Sequence, residues 1–316
     1  MSLAFVFPGQ GSQSVGMLAA LAAAEPVVQE TFAAASSVLG YDLWALCQQG
    51  PDTELARTEI TQPAMLAAGV ATWRAWLRHG GPRPVAMAGH SLGEYTALVC
   101  SGALEFATAV DLVRFRGQAM QQAVPVGQGA MAAVLGLDDD QVAEACLEAA
   151  QGEVVQAVNF NAPGQVVIAG HATAVARAIE AARARGAKRA VTLPVSVPSH
   201  SRLMVGAAER LAERLASVDL RMPDVPAVYT VHVQTHASPD GIRRALKEQL
   251  HEPVRWADTV RAMLASGVTT IVECGPGKVL TSLNKRIERR PDLTLLAVED
   301  PGGLDAALAA CRGAAT

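Results

Sequence analysis

Residues 87–98, MAGHSLGEYTAL, put a serine between two glycines where an apolar run gives way to helix formers. A G-x-S-x-G pattern in that setting constrains the fold tightly. A strand must stop abruptly, the serine must sit on a strained turn, and a helix must begin directly behind it, with small residues alongside so that the backbones can approach. Ser91 is therefore the candidate nucleophile, weighed against a glycine-rich strand-to-helix turn carrying an inert serine.

The rest of the chain suits that requirement. Strand signals and helical periodicity alternate from the start, which predicts an α/β fold with a mainly parallel sheet. Strands are expected at 4–7, 85–88 and 268–273, and helices at 17–40, 61–79, 94–101, 105–123 and 279–287. Between them, 130–135, 154–158, 165–169 and 189–197 read as strands and 138–150 and 173–185 as helices. That order, β-α-β-β-α-β, is the split unit of ferredoxin-like folds. It predicts a compact subdomain at 128–197 set into a larger domain made of 1–127 and 198–316.

With 50% apolar and 18% charged residues in 316, the chain can bury a substantial core. The formal charge is −4 and the basic residues are scattered, so nothing marks a nucleic acid or an anionic membrane as partner. Small molecules or another protein are expected instead. The five cysteines are far apart and form no C-x-x-C pair, which argues against a disulfide framework or a zinc site and fits a reducing cytoplasm. The start of the sequence has no basic leader, and the longest apolar run, near 63–73, falls short of the roughly 20 residues that span a bilayer. A soluble, unprocessed protein is expected.

A serine hydroxyl needs a base, and seven histidines are available. His90 neighbours Ser91 on the turn, where adjacent side chains diverge, and reads as structural. His200 stands apart: it follows the run AVTLPVSV and precedes an amphipathic helix striped by Leu203, Met204, Ala207, Ala208, Leu211 and Leu215, which predicts a place at a sheet edge. No acidic residue declares itself as the partner of that imidazole, so a backbone carbonyl or an amide side chain could serve. Arg114 and Arg116, two apart on one helix, point to different faces. Either would have to offer its planar fork to a carboxylate to be functional, and the solvated reading suits Arg114 better.

The opening segment FVFPGQGSQ, residues 5–13, resembles the start of a phosphate-binding loop, with Gly9 and Gly11 in the first two positions of G-x-G-x-x-G. Ser14 occupies the third, no acidic residue follows about 20 residues on at a strand end, and no Gly-Lys-Ser or Gly-Lys-Thr follows Gly16. What the loop does offer is backbone N–H groups. If it lies beside Ser91, one of them completes an oxyanion hole with the N–H of Leu92.

Several motifs in register, FVFPGQGSQSVGM, TQPAMLA, AGHSLGEYTALV, VNFNAPGQVVIAG, PVSVPSHSRLM and ECGPGKVLTSLNKRI, resemble those of the malonyl-CoA:acyl carrier protein transacylases of bacterial fatty acid synthesis over nearly the whole chain. The resemblance implies an α/β-hydrolase-like large domain with the ferredoxin-like subdomain inserted. It places the nucleophile on Ser91, the base on His200, the carboxylate-binding arginine on Arg116 and the oxyanion donors on the backbone N–H groups of Gln10 and Leu92. It places the carbonyl that orients the histidine on Gln249, and Asn159 in the pocket lining. It further implies malonyl-CoA and phosphopantetheinylated acyl carrier protein as substrates, no metal or other cofactor, and a monomer. A free-standing acyltransferase serving a polyketide synthase, or a serine thioesterase, would use the same nucleophile. The sequence departs from the family pattern at Ser199, where phenylalanine is frequent, and at 228–233, VYTVHV.

Overall fold

A computed structural model describes residues 2–195 and 197–312. Among these, the strands are β1 (Leu3–Phe7), β2 (Ala86–Gly89), β3 (Gly129–Leu135), β4 (Val155–Ala162), β5 (Gln165–His171), β6 (Arg189–Thr192), β7 (Ala227–Val228), β8 (Thr270–Cys274) and β9 (Thr294–Val298). Every residue of β1 is buried: Phe5 and Phe7 belong to one hydrophobic cluster, Ala4 and Val6 to another. A strand covered on both faces belongs inside a parallel sheet flanked by helices. β1 does lie at the centre of a five-stranded sheet of order β7-β2-β1-β8-β9, paired in parallel throughout.

On one face the long helix Thr58–Arg78 brings Trp73 and Trp76 edge-on to Phe5, each with ring centroids 5.1 Å away. On the other, the helices Trp256–Ala265 and Val279–Ile287 cover Ala4, Val6 and Ile271. β3 to β6 form a separate antiparallel sheet of order β4-β5-β3-β6. The helices Asp139–Ala150 and Ala172–Ala184 pack on it around Ala132, Val134 and Ile168, the first opened by a capping box between Asp138 and Gln141. The expected fold class, a parallel α/β sheet with a β-α-β-β-α-β unit set into it, is the fold of this chain.

Three local expectations change. The helix expected at 17–40 is two, Ala19–Ala24 and Pro26–Leu39, because Pro26 has no N–H to donate and forces Glu25 into an extended conformation. The strand expected at 189–197 ends at Thr192, with Pro194 and Pro198 beyond it unable to join a ladder; Ser196, inside that expected span, lies outside the described residues. β4 runs four residues past the 154–158 expected end, with register shifts that let Asn159 bridge to Val254. The short edge strand β7 and β9, and the helices Leu43–Gln49, Pro239–Glu248, Trp256–Ala265 and Pro301–Arg312, gave no signal strong enough to place beforehand.

Candidate active site

The serine turn is built by exclusion of side chains. A Cβ on Gly89 would fall 1.8 Å from the carbonyl carbon of Gly93, and one on Gly93 would fall 2.0 Å from the carbonyl oxygen of Phe7. Both glycines of the pattern are therefore required by backbone contact. Ser91 between them has φ of 52°, the left-handed region that a non-glycine residue enters only under constraint. The helix Gly93–Cys100 starts at once behind it, with Leu92 at its N-cap.

β1 and β2 are parallel neighbours in register, Phe7 opposite Gly89, so the loops that follow them leave the sheet side by side. His90 N–H donates to the Phe7 carbonyl (2.9 Å), and Gly9 packs so closely that a Cβ there would meet the His90 carbonyl oxygen at 2.5 Å. Gln10 and Ser91 are thus held at one sheet edge. Among the described residues neither the Gln10 nor the Leu92 backbone N–H donates to a backbone or side-chain acceptor. Both remain free to receive an oxyanion.

His200 reaches the serine from the connection that follows β6. Its Nε2 lies 2.8 Å from Ser91 Oγ, and its Nδ1 lies 2.6 Å from the backbone carbonyl oxygen of Gln249. A carbonyl only accepts, so Nδ1 carries the proton and Nε2 presents its lone pair to the hydroxyl. His200 also has a left-handed backbone, φ 64°, and its N–H donates to Leu250 (2.9 Å). It is 3% exposed, and burial, with the Arg116 cation nearby, pushes its pKa down to about 3. The imidazole is therefore neutral and ready to take a proton at neutral pH. The expectation that it stands at the carboxyl end of the strand running through AVTLPVSV is corrected: β6 ends at Thr192, and His200 lies on the connection beyond it, eight residues past that strand.

Arg116 is 1% exposed on the helix Phe106–Ala123. One guanidinium nitrogen, Nη2, lies 2.9 Å from Gln249 Oε1 and 3.4 Å from Ser91 Oγ, and the group sits over the Tyr95 ring at 5.5 Å. Among the described residues it forms no ion pair. Arg114, by contrast, is half-buried and pairs with Asp111, which also takes Arg214. Gln249 does more than orient the histidine: its Nε2 donates to the Ser91 carbonyl (2.9 Å) and to Glu94 (2.6 Å). Glu94 also accepts from the N–H and hydroxyl of Thr230, both at 2.7 Å. Burial raises the Glu94 carboxyl and these donors offset part of the rise, which leaves it at about 7.

The structure thus brings Ser91, His200, Arg116 and Gln249 into one hydrogen-bonded group and sets Gln10 and Leu92 beside it. Asn159 takes no part in that group; its side-chain oxygen is buried without a partner on β4. Two positions along, Asn161 reaches the turn and accepts from His90 Nε2 at 2.9 Å, while the His90 ring packs against Trp256. Glu94 and Thr230 were not singled out from the sequence. Glu94 was visible as the single charge in an otherwise uncharged buried helix, GEYTALVC; Thr230, in the departing segment 228–233, left no signal. No group of metal-ligating side chains occurs among the described residues, and no helix there is long and apolar enough to cross a membrane.

The acyl transferase domain family model matches residues 4–295. Over 305 residues the chain is 59% identical to the malonyl CoA-acyl carrier protein transacylase of Escherichia coli K12, covering 96% of this chain and 98% of that protein. Among solved structures, the malonyl CoA-acyl carrier protein transacylase of Coxiella burnetii superposes with a TM-score of 0.96 at 50% identity, covering 98% of this chain and 97% of the other. A malonyl-transacylase solved in complex with a type II polyketide synthase acyl carrier protein superposes equally well, TM-score 0.96 at 55% identity, over 98% and 100% of the two chains. The chain belongs to the acyl transferase family.

Proposed function

We propose that this member of the acyl transferase family moves the malonyl group of malonyl-CoA, through an ester on Ser91, to the phosphopantetheine thiol of acyl carrier protein. One observation carries the choice of acyl group: a buried guanidinium, 3.4 Å from the serine hydroxyl, that pairs with no carboxylate among the described residues. A cation held dry and unpaired is costly unless the substrate supplies the partner, and the free carboxylate of a malonyl thioester does so.

His200 Nε2 takes the Ser91 proton as Oγ attacks the thioester carbonyl. The tetrahedral oxyanion is received by the N–H groups of Gln10 and Leu92. As it collapses, the C–S bond breaks and the coenzyme A thiolate leaves with the proton from Nε2. The carrier thiol then gives its proton to Nε2 and attacks the seryl ester, and Ser91 recovers the proton on release. In both halves the imidazole is briefly charged beside Arg116. A bound malonyl carboxylate offsets that repulsion, so substrate recognition and proton transfer support one another. An acetyl group lacks the carboxylate and forgoes about 3 kcal/mol, on the order of 100-fold.

The thioester arrives already activated, so the chemistry calls on no metal or organic cofactor. The supply of extender units for fatty acid synthesis is in keeping with the relatives' activity, and on this reading the enzyme works as a monomer in the cytoplasm. Because a transacylase this similar binds a polyketide carrier, carrier identity rests on surface complementarity outside the site. Intact-protein mass spectrometry with malonyl-CoA and acetyl-CoA, with and without carrier protein, tests the reading. A malonyl adduct should form and disappear on adding carrier. Ser91→Ala should lose it and slow transfer at least about 1,000-fold. Arg116→Ala should slow malonyl transfer about 100-fold and acetyl transfer less than about tenfold. Steady coenzyme A release without carrier would identify a hydrolase instead.

A further inference from the structure

Glu94 is 2% exposed and touches neither the serine hydroxyl nor the histidine, yet both of its oxygens meet donors: Thr230 N and Oγ1 on one, Gln249 Nε2 on the other. At the opposite end of the Gln249 side chain stands Arg116, which can only donate. An amide between two such groups has one admissible flip. Its Nε2 hydrogens go to Glu94 (2.6 Å) and the Ser91 carbonyl (2.9 Å), and its Oε1 accepts from Arg116 Nη2 (2.9 Å).

We propose that Glu94 is a positioning residue for carboxylate recognition: by locking the Gln249 amide it aims Arg116 at the Ser91 ester while leaving the guanidinium without a carboxylate of its own. This rests on the malonyl transferase reading. An acid placed directly on Arg116 would fix it as firmly but would occupy the donors that the substrate carboxylate needs. The intervening amide passes on the orientation and keeps the carboxyl group one residue away from the guanidinium. The main chain at 249 is held separately, its N–H donating to Ala245 (2.9 Å) at the end of the helix Pro239–Glu248, so the carbonyl that grips His200 Nδ1 stays in place if the side chain turns. Serine activation and carboxylate recognition are thereby separable.

The test is single-turnover formation of the seryl ester, followed by quenched mass spectrometry with malonyl-CoA and acetyl-CoA on the full chain. Glu94→Gln, which permits the Gln249 amide to flip, should lower malonylation about tenfold to 100-fold and acetylation less than about threefold, so the malonyl-to-acetyl ratio falls. Gln249→Glu should lower the ratio as well, because the new carboxylate pairs with Arg116 directly. Thr230→Val removes one donor to Glu94 and should move the ratio the same way by about twofold to fivefold. A loss of fold would depress both acyl groups alike. If Glu94→Gln lacks a cooperative thermal transition, Thr230→Val decides. An unchanged ratio, or equal loss for both acyl groups, in the folded variant overturns the positioning role. Absence of a malonyl ester on the unmutated chain overturns the transferase reading itself, and is told apart because it appears without any substitution.

Discussion

β1 and β8, in the five-stranded sheet, are buried along their whole length, whereas β3 and β4, in the four-stranded sheet, mix buried and half-buried residues. The parallel sheet has helices on both faces and sends its carboxyl ends to one edge; the antiparallel sheet sends successive ends in opposite directions. Hence the loops after β1 and β2 emerge together, carrying Gln10 and Ser91, and no equivalent edge exists in the smaller sheet. That sheet contributes walls and a returning chain: Asn161 on β4 and, past β6, His200. The comparison teaches that the nucleophile and the oxyanion donors are set where parallel strand ends crowd together, while the smaller sheet supplies a wall and the chain that returns with the base.

Three changes probe that contrast. Gly93→Ala should have the largest effect, because its Cβ would sit 2.0 Å from the Phe7 carbonyl oxygen and separate the turn from β1. A loss of about 3 kcal/mol or more in denaturant unfolding is expected, together with transfer activity; a stable, active variant would mean that the edge tolerates displacement. A second probe concerns the histidine delivered from the smaller sheet. Its pKa is depressed to about 3, so the neutral form that activates Ser91 persists as pH falls through the ordinary histidine range and is lost only near that value. Inactivation of Ser91 by a neutral sulfonyl fluoride should therefore be nearly level between pH 7 and 5.5; a fall of about tenfold, as an unperturbed imidazole near 6.5 would give, would place His200 in a wetter environment than its burial implies. The smallest effect belongs to Gly164→Ala, in the turn between β4 and β5. Its φ is +68°, but the nearest atom to the added Cβ lies at 3.8 Å. A cost of about 1 kcal/mol by thermal unfolding, with unchanged transfer, is expected from backbone conformation alone. Loss of activity there would extend the demand for precision into the smaller sheet.

Much of this could be read along the chain because it is local. The G-x-S-x-G turn, its flanking strand and helix, and the β-α-β-β-α-β order depend on contacts between near neighbours. The family resemblance also supplied Gln249 as a backbone acceptor and Arg116 over Arg114. Unreadable were the second role of Gln249, through its side chain, and the parts of Glu94 and Thr230, which join residues far apart in sequence. Asn159 shows the same limit: the two asparagines of VNFNA look alike, and only the register shifts of β4 put Asn161 rather than Asn159 against His90.

The sequence by itself determined that a strand must break at Ser91, that the chain carries two sheets of different kind, and that the opening loop FVFPGQGSQ lacks the third glycine and the lysine of a phosphate cradle. Each follows from steric or chemical rules acting over a few residues. Only the tertiary structure decided that His200 would be dry and clamped by left-handed backbone, and that Arg116 would meet an amide instead of an acid. Both depend on which distant groups the fold brings within hydrogen-bonding distance, and on how much water it leaves between them.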